Sequence, residues 1–77
     1  IDYENLRKIN PSIICCSITG YGSSGPYKDR PSFDIIAQAL SGIMSITGEP
    51  DGPPLRTGTA VADLTAGMFA ALGVASA

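Results

Sequence analysis

The residue with the clearest chemical potential is Asp63, in the word GTAVADLTAG from Gly58 to Gly67, where it is the only charged residue between Arg56 and Ala77. A carboxylate alone among small and apolar side chains is either a charge at a helix end or a group held in a site that perturbs its chemistry. A second group, Pro31, Ser32, Phe33 and Asp34, closes a glycine-rich loop. On spacing alone, Asp34 is a first-turn charge that complements a helix dipole. Cys15 and Cys16 are adjacent, so in a strand they point to opposite faces and a bond between them would be strained. The chain has no histidine to activate a thiol, and the pair reads as reduced, small, buried side chains in a cytosolic setting. Gly20, Gly22 and Gly25 imitate a phosphate loop, but Gly25 precedes Pro26 instead of opening a helix, and no G-K-[ST] follows.

The elements that must position these residues follow from pattern. Asp2 to Ile9 has an acidic start, a basic end at Arg7 and Lys8, and one apolar face, which predicts a short helix capped by Asp2 and stopped by Asn10-Pro11. Ser12 to Ile18 (SIICCSI) is a continuous apolar run rich in β-branched residues, the pattern of a buried, usually parallel, strand. A helix leading into such a strand is half of an α/β unit, and ligands in these sheets bind beyond the carboxyl ends of the strands. That locates the long loop Thr19 to Pro31 at the crevice. The next helix is expected over Ser32 to about Ser45, with Ser32 as its N-cap and an apolar stripe of Phe33, Ile36, Ala37, Leu40, Ile43 and Met44. Thr47 to Thr57 is a loop stiffened by Pro50, Pro53 and Pro54. From about Ala60 the chain reads as a helix rich in alanine and glycine, with Asp63 in its first turn, where free N–H groups favour a carboxylate.

Composition narrows the function classes. The net charge of −2 and the absence of any basic run argue against a nucleic-acid partner. No apolar stretch approaches the roughly 18 residues of a membrane span, and no signal segment stands out. Seventy-seven residues make at most one small, marginal domain. The chain opens on Ile1 without a methionine and closes on an apolar helix without a C-cap, so residues 1–77 are expected to be part of a domain incomplete at both ends.

Three stretches, INPSIICCSITGYGSSGPYKDRPSFD, AQALSGIMSITGEPDGPPLR and GTAVADLTAGMFAALG, resemble the class III CoA-transferases, the CaiB/BaiF family that includes formyl-CoA and carnitine CoA-transferases. The resemblance implies an α/β fold, part of a Rossmann-like large domain in the order helix, buried strand, long loop, helix, loop, helix. It implies that Asp63 is the nucleophile that carries CoA from an acyl-CoA to a carboxylic acid through aspartyl anhydride and aspartyl-CoA thioester intermediates. It further implies that Pro31, Ser32, Phe33 and Asp34 border the pantetheine and thioester region. Phe33 stands where formyl-CoA transferase has tyrosine. The related α-methylacyl-CoA racemases carry a histidine base there, and Phe33 cannot take a proton. The implied partners are an acyl-CoA and a small carboxylic acid, with no metal and no permanently bound cofactor, in an interlocked homodimer. The alternatives are a racemase-like enzyme, or a non-catalytic α/β segment in which Asp63 is a helix-end charge.

Overall fold

Local signals settle the first helix. In the computed structural model, which describes residues 2–77, α1 spans Tyr3–Ile9 and Asp2 is its N-cap, accepting a 2.8 Å hydrogen bond from the Asn5 amide. Asn10 ends α1 in extended conformation, and its side chain accepts from the Ser12 amide across Pro11, at 3.1 Å.

The strand expected over Ser12 to Ile18 does not form. The segment is extended, but no strand is present among the described residues. A strand exists only as a partner in a ladder, and no ladder partner for this segment is present among the described residues. The side chains are accordingly not buried: Ile18 is 61% exposed, and Cys15 and Cys16 are exposed free thiols. The apolar pattern reports a capacity for burial on both faces that these residues alone do not satisfy.

The loop that follows has its own packing. Gly22 and Gly25 take positive φ, the Gly22 amide donates to Thr19 Oγ1 at 2.6 Å, and Tyr21 and Tyr27 meet edge to face at 5.6 Å. The Arg30 guanidinium lies 4.2 Å from the Tyr27 ring centre, a cation–π contact that secures the end of the loop.

α2 spans Asp34–Ser41, and its N-cap is Phe33, not Ser32. Phe33 has no side-chain oxygen to cap with, so the expected serine cap is absent and Asp34 occupies the first helical position. The helix ends four residues earlier than its apolar stripe suggests, because Gly42 adopts the left-handed conformation (φ 87°) of a helix terminator. A 3₁₀ turn, Ile43–Ile46, continues from it. α3 spans Val61–Ser76.

The described residues form a flat, extended body, with principal extents of 56 × 28 × 14 Å. The radius of gyration is 16.5 Å, against about 11–12 Å for a compact chain of this length. The accessible surface is 6276 Å², where a compact protein of this mass exposes about 4400 Å². No hydrophobic side chain is buried among the described residues, and the one fully buried side chain is Gln38. Among the described residues no helix is long and apolar enough to cross a membrane.

Candidate functional site

The segment that carries Asp63 turns into α3 without a cap of its own. The N-cap position is Ala60, which has no side-chain acceptor, so the first-turn amides would be left unpaired. Asp34 supplies what Ala60 lacks. Its Oδ1 accepts from the Ala62 amide at 2.7 Å and from the Asp63 amide at 3.1 Å, the hydrogen bonds an N-cap side chain normally makes. Here they come from a different helix, almost thirty residues back. Asp34 stands in the first turn of α2, as its spacing predicts, and its carboxylate also reaches the N-terminus of α3.

Gln38, one turn further along α2, completes the arrangement. Its Nε2 donates to Asp34 Oδ2 at 2.5 Å, and its Oε1 accepts from the Thr57 amide at 2.9 Å. Both ends of one buried amide are thereby used. Partial withdrawal from water pushes the Asp34 pKa up. The N–H groups of Asp63, the Gln38 side chain and Ala62, with the Arg56 charge beyond them, outweigh that effect and hold it below the usual carboxylate value. Sequence reasoning passed over Gln38 and Thr57. The available signal was the i,i+4 spacing of Asp34 and Gln38 on one helical face, with a polar residue set among Ile36, Ala37 and Leu40.

Asp63, the third residue of α3, is exposed at an open cleft of about 340 Å³. Across from it the cleft is lined by Ile18, Thr19 and Gly20 from the start of the long loop, and by Ser32, Phe33 and Ala37 from the entry to α2. Ala62 and Ala66 complete the Asp63 side. Thus Ser32 and Phe33 share a cleft with Asp63, whereas Pro31 and Asp34 are not among its lining residues. Phe33 is 69% exposed and offers an aromatic face. Gly20 is required by contact: a Cβ there would lie 2.6 Å from the Ser32 Cβ, a separation that real side chains do not tolerate. The cleft therefore combines an accessible carboxylate with apolar and small side chains. No group of three or more His, Cys, Asp or Glu side chains that could hold a metal occurs among the described residues.

Comparison with known proteins gives this geometry a family. The sequence pattern of CoA-transferase family III matches residues 1–77. The chain is 52% identical over 77 residues to a succinate–glutarate CoA-transferase of Agrobacterium fabrum, covering 100% of this chain and 19% of that protein. It is 54% identical over 70 residues to the succinyl-CoA:glutarate CoA-transferase of Mus musculus, covering 91% of this chain and 16% of that one. It is 52% identical over 77 residues to the acetyl-CoA:oxalate CoA-transferase of Acetobacter aceti, covering 99% and 20%. The crystal structure of a CaiB/BaiF family protein from Brucella suis superimposes with a TM-score of 0.90 at 46% identity, over 99% of this chain and 20% of that one. The chain thus spans about a fifth of the length of these relatives. With its whole length inside the family's sequence pattern and its backbone reproduced in a solved member, the chain belongs to CoA-transferase family III.

Proposed function

We propose that the protein containing this chain transfers CoA from an acyl-CoA to a small carboxylic acid, with Asp63 as the nucleophile. The observation that carries this reading is the position of Asp63: an accessible carboxylate in the first turn of α3, on a cleft whose other wall is Ser32 and Phe33. A carboxylate oxygen of Asp63 attacks the thioester carbonyl, the C–S bond breaks, and CoA thiolate leaves an aspartyl-acyl anhydride. The thiolate then attacks the aspartyl carbonyl, which releases the donor acid as its carboxylate and leaves an aspartyl-CoA thioester. The acceptor carboxylate reverses these two steps, regenerating Asp63 and forming the new acyl-CoA. No redox change and no net proton transfer are involved, so one free carboxylate suffices.

The acceptor class is a short dicarboxylate, a reading supported by relatives named for succinate, glutarate and oxalate. Ser32 and Phe33 border the thioester and the adjoining pantetheine arm, and Pro31 sets the entry of the chain to them. Transfer is favoured over racemisation because Phe33, facing the cleft beside Asp63, has no proton to give or take. The segment belongs to the Rossmann-like large domain of a cytoplasmic, interlocked homodimer. The apolar surface of α3 and the exposed Ser12–Ile18 run support a larger assembly, and the unpaired thiols of Cys15 and Cys16 support a reducing compartment. The test is acyl-CoA and hydroxylamine trapping in the full-length protein. Label is expected on Asp63, and transfer that persists in Asp63→Ala would refute the assignment.

A further inference from the structure

We propose that Asp34 and Gln38 form a positioning clamp, in which one turn of α2 holds both ends of the segment Thr57 to Asp63 and so fixes Asp63 for reaction; the catalytic part of this inference rests on Asp63 being the nucleophile. Gln38 holds the start of the segment through the Thr57 amide, at 2.9 Å, and Asp34 holds its end through the Ala62 and Asp63 amides, at 2.7 and 3.1 Å. The 2.5 Å hydrogen bond between the two side chains makes them one unit. Between the anchored ends lies Gly58, whose Cβ position has no neighbour within 4 Å. The turn between is closed locally, the Thr57 hydroxyl and the Val61 amide both donating to the Thr59 carbonyl at 2.7 and 2.8 Å, so the two anchored ends set how that turn as a unit presents Asp63. Gln38 is fully buried although no apolar side chain around it is. That is the opposite of ordinary burial order, and it marks a polar group that is held inside for the hydrogen bonds it makes.

The chemistry of the clamp specifies its residue types. Asp34 accepts on both oxygens, two amides on Oδ1 and the glutamine N–H on Oδ2. Gln38 must therefore present a donor towards Asp34 and an acceptor towards Thr57, which fixes its amide orientation and excludes glutamate as a neutral replacement. Asp34→Asn places its side-chain NH₂ against Gln38 Nε2, donor against donor. Gln38→Glu sets two carboxylates face to face. The exchange Asp34→Asn with Gln38→Glu restores every bond: the Asn Oδ1 accepts from Ala62 and Asp63, its Nδ2 donates to Glu, and the second Glu oxygen accepts from Thr57.

The decisive experiment compares these three variants in the full-length protein by kcat, by KM for the acyl-CoA and by amide hydrogen exchange at Ala62 and Asp63. Each single variant is expected to lower kcat about tenfold to a hundredfold through misplacement of Asp63, with KM unchanged within about twofold and exchange at both amides accelerated. The double variant is expected to recover kcat and protection together. Single variants with wild-type kcat and wild-type exchange, or a double variant no better than the worse single, would overturn the clamp. Trapping on the wild-type protein separates the two ideas: if Asp63 takes no label while exchange responds and recovers as described, the clamp on the turn stands and the nucleophile assignment falls.

Discussion

The corner formed by α2, the proline-rich loop and the first turn of α3 is ordered differently from the two ends of the molecule. At the corner, polar groups do the holding: Asp34, Gln38 and Thr57 close a hydrogen-bonded circuit around the segment that carries Asp63. At the ends, the apolar side chains with the largest capacity for burial stay largely uncovered; Phe69 on α3 is 73% exposed and Ile14 on the N-terminal limb is 50% exposed, and the two line one open cleft. The geometry of the candidate site is thus set within these residues, whereas no hydrophobic side chain among the described residues is buried. Large apolar surface is stabilised by whatever covers it, while a hydrogen-bonded corner is complete as soon as its partners are present.

The largest effect is expected at the carboxylate the corner presents. Asp63→Ala in the full-length protein is expected to reduce CoA transfer by on the order of 10³-fold or more, since removal of a covalent nucleophile disables the whole relay. Steady-state transfer assays check this, and the secondary structure by circular dichroism should be unchanged because the Asp63 side chain is exposed. If the corner itself unfolds with Asp63→Ala, the separation between what holds the turn and what it presents is wrong.

The next test removes the buried member of the circuit without leaving a void. Gln38→Leu leaves the Thr57 amide and Asp34 Oδ2 without their partner, and an unsatisfied group of this kind costs about 1–3 kcal/mol. Chemical denaturation of the full-length protein should show that loss. A substitution at the ends, such as Phe69→Ala, sharpens the contrast. Its cost should depend on how much of the 73% exposure is removed by other parts of the protein, from within about 0.5 kcal/mol if it stays exposed to about 3 kcal/mol or more if it is covered.

A smaller effect is expected at the far wall of the cleft. Gly20→Ala places a Cβ 2.6 Å from the Ser32 Cβ, and relief requires the loop and the entry to α2 to separate, at about 1 kcal/mol or more. Because Ser32 and Phe33 line the cleft from that entry, KM for the acyl-CoA should rise more than kcat falls. Equal loss in both would show that Gly20 serves the fold rather than the cleft.

How far the sequence reaches follows the same division. α1 was legible because its determinants are local: Asp2 caps Asn5, and Asn10-Pro11 ends the helix. The start of α3 and the position of Asp63 within its first turn were also legible, from small residues behind a proline-rich approach. The buried strand over Ser12 to Ile18 was misread because apolar patterning reports what a segment can cover, and a strand requires a partner that periodicity does not supply. Ser32 was the better capping residue by type, yet the chain enters α2 one residue later, at Phe33. Of the clamp, only the Asp34–Gln38 pair left a signal, its i,i+4 spacing; the long-range bonds left none. Asp34 reaches Asp63 across 29 residues and Gln38 reaches Thr57 across 19, and neither pairing leaves a spacing signal along the chain.

The finest test uses proton linkage at Asp34, the only carboxylate of the circuit. Withdrawal from water works against its ionised form, but the hydrogen bonds from Asp63, Gln38 and Ala62 and the Arg56 charge prevail, so its folded pKa lies below its unfolded value of about 3.9. A group with a depressed folded pKa contributes stability that is fully present above the unfolded pKa and is lost as pH falls through the folded one. Protection of the Ala62 and Asp63 amides, corrected for intrinsic exchange, should therefore be level from neutrality down to about pH 5 and fall below about pH 4. In Asp34→Asn that acid-dependent loss at Ala62 and Asp63 should vanish, since the group that titrates is gone. If the loss persists unchanged in Asp34→Asn, the acid sensitivity of the corner belongs to some other carboxylate, and the charge on Asp34 contributes nothing beyond the shape of its side chain.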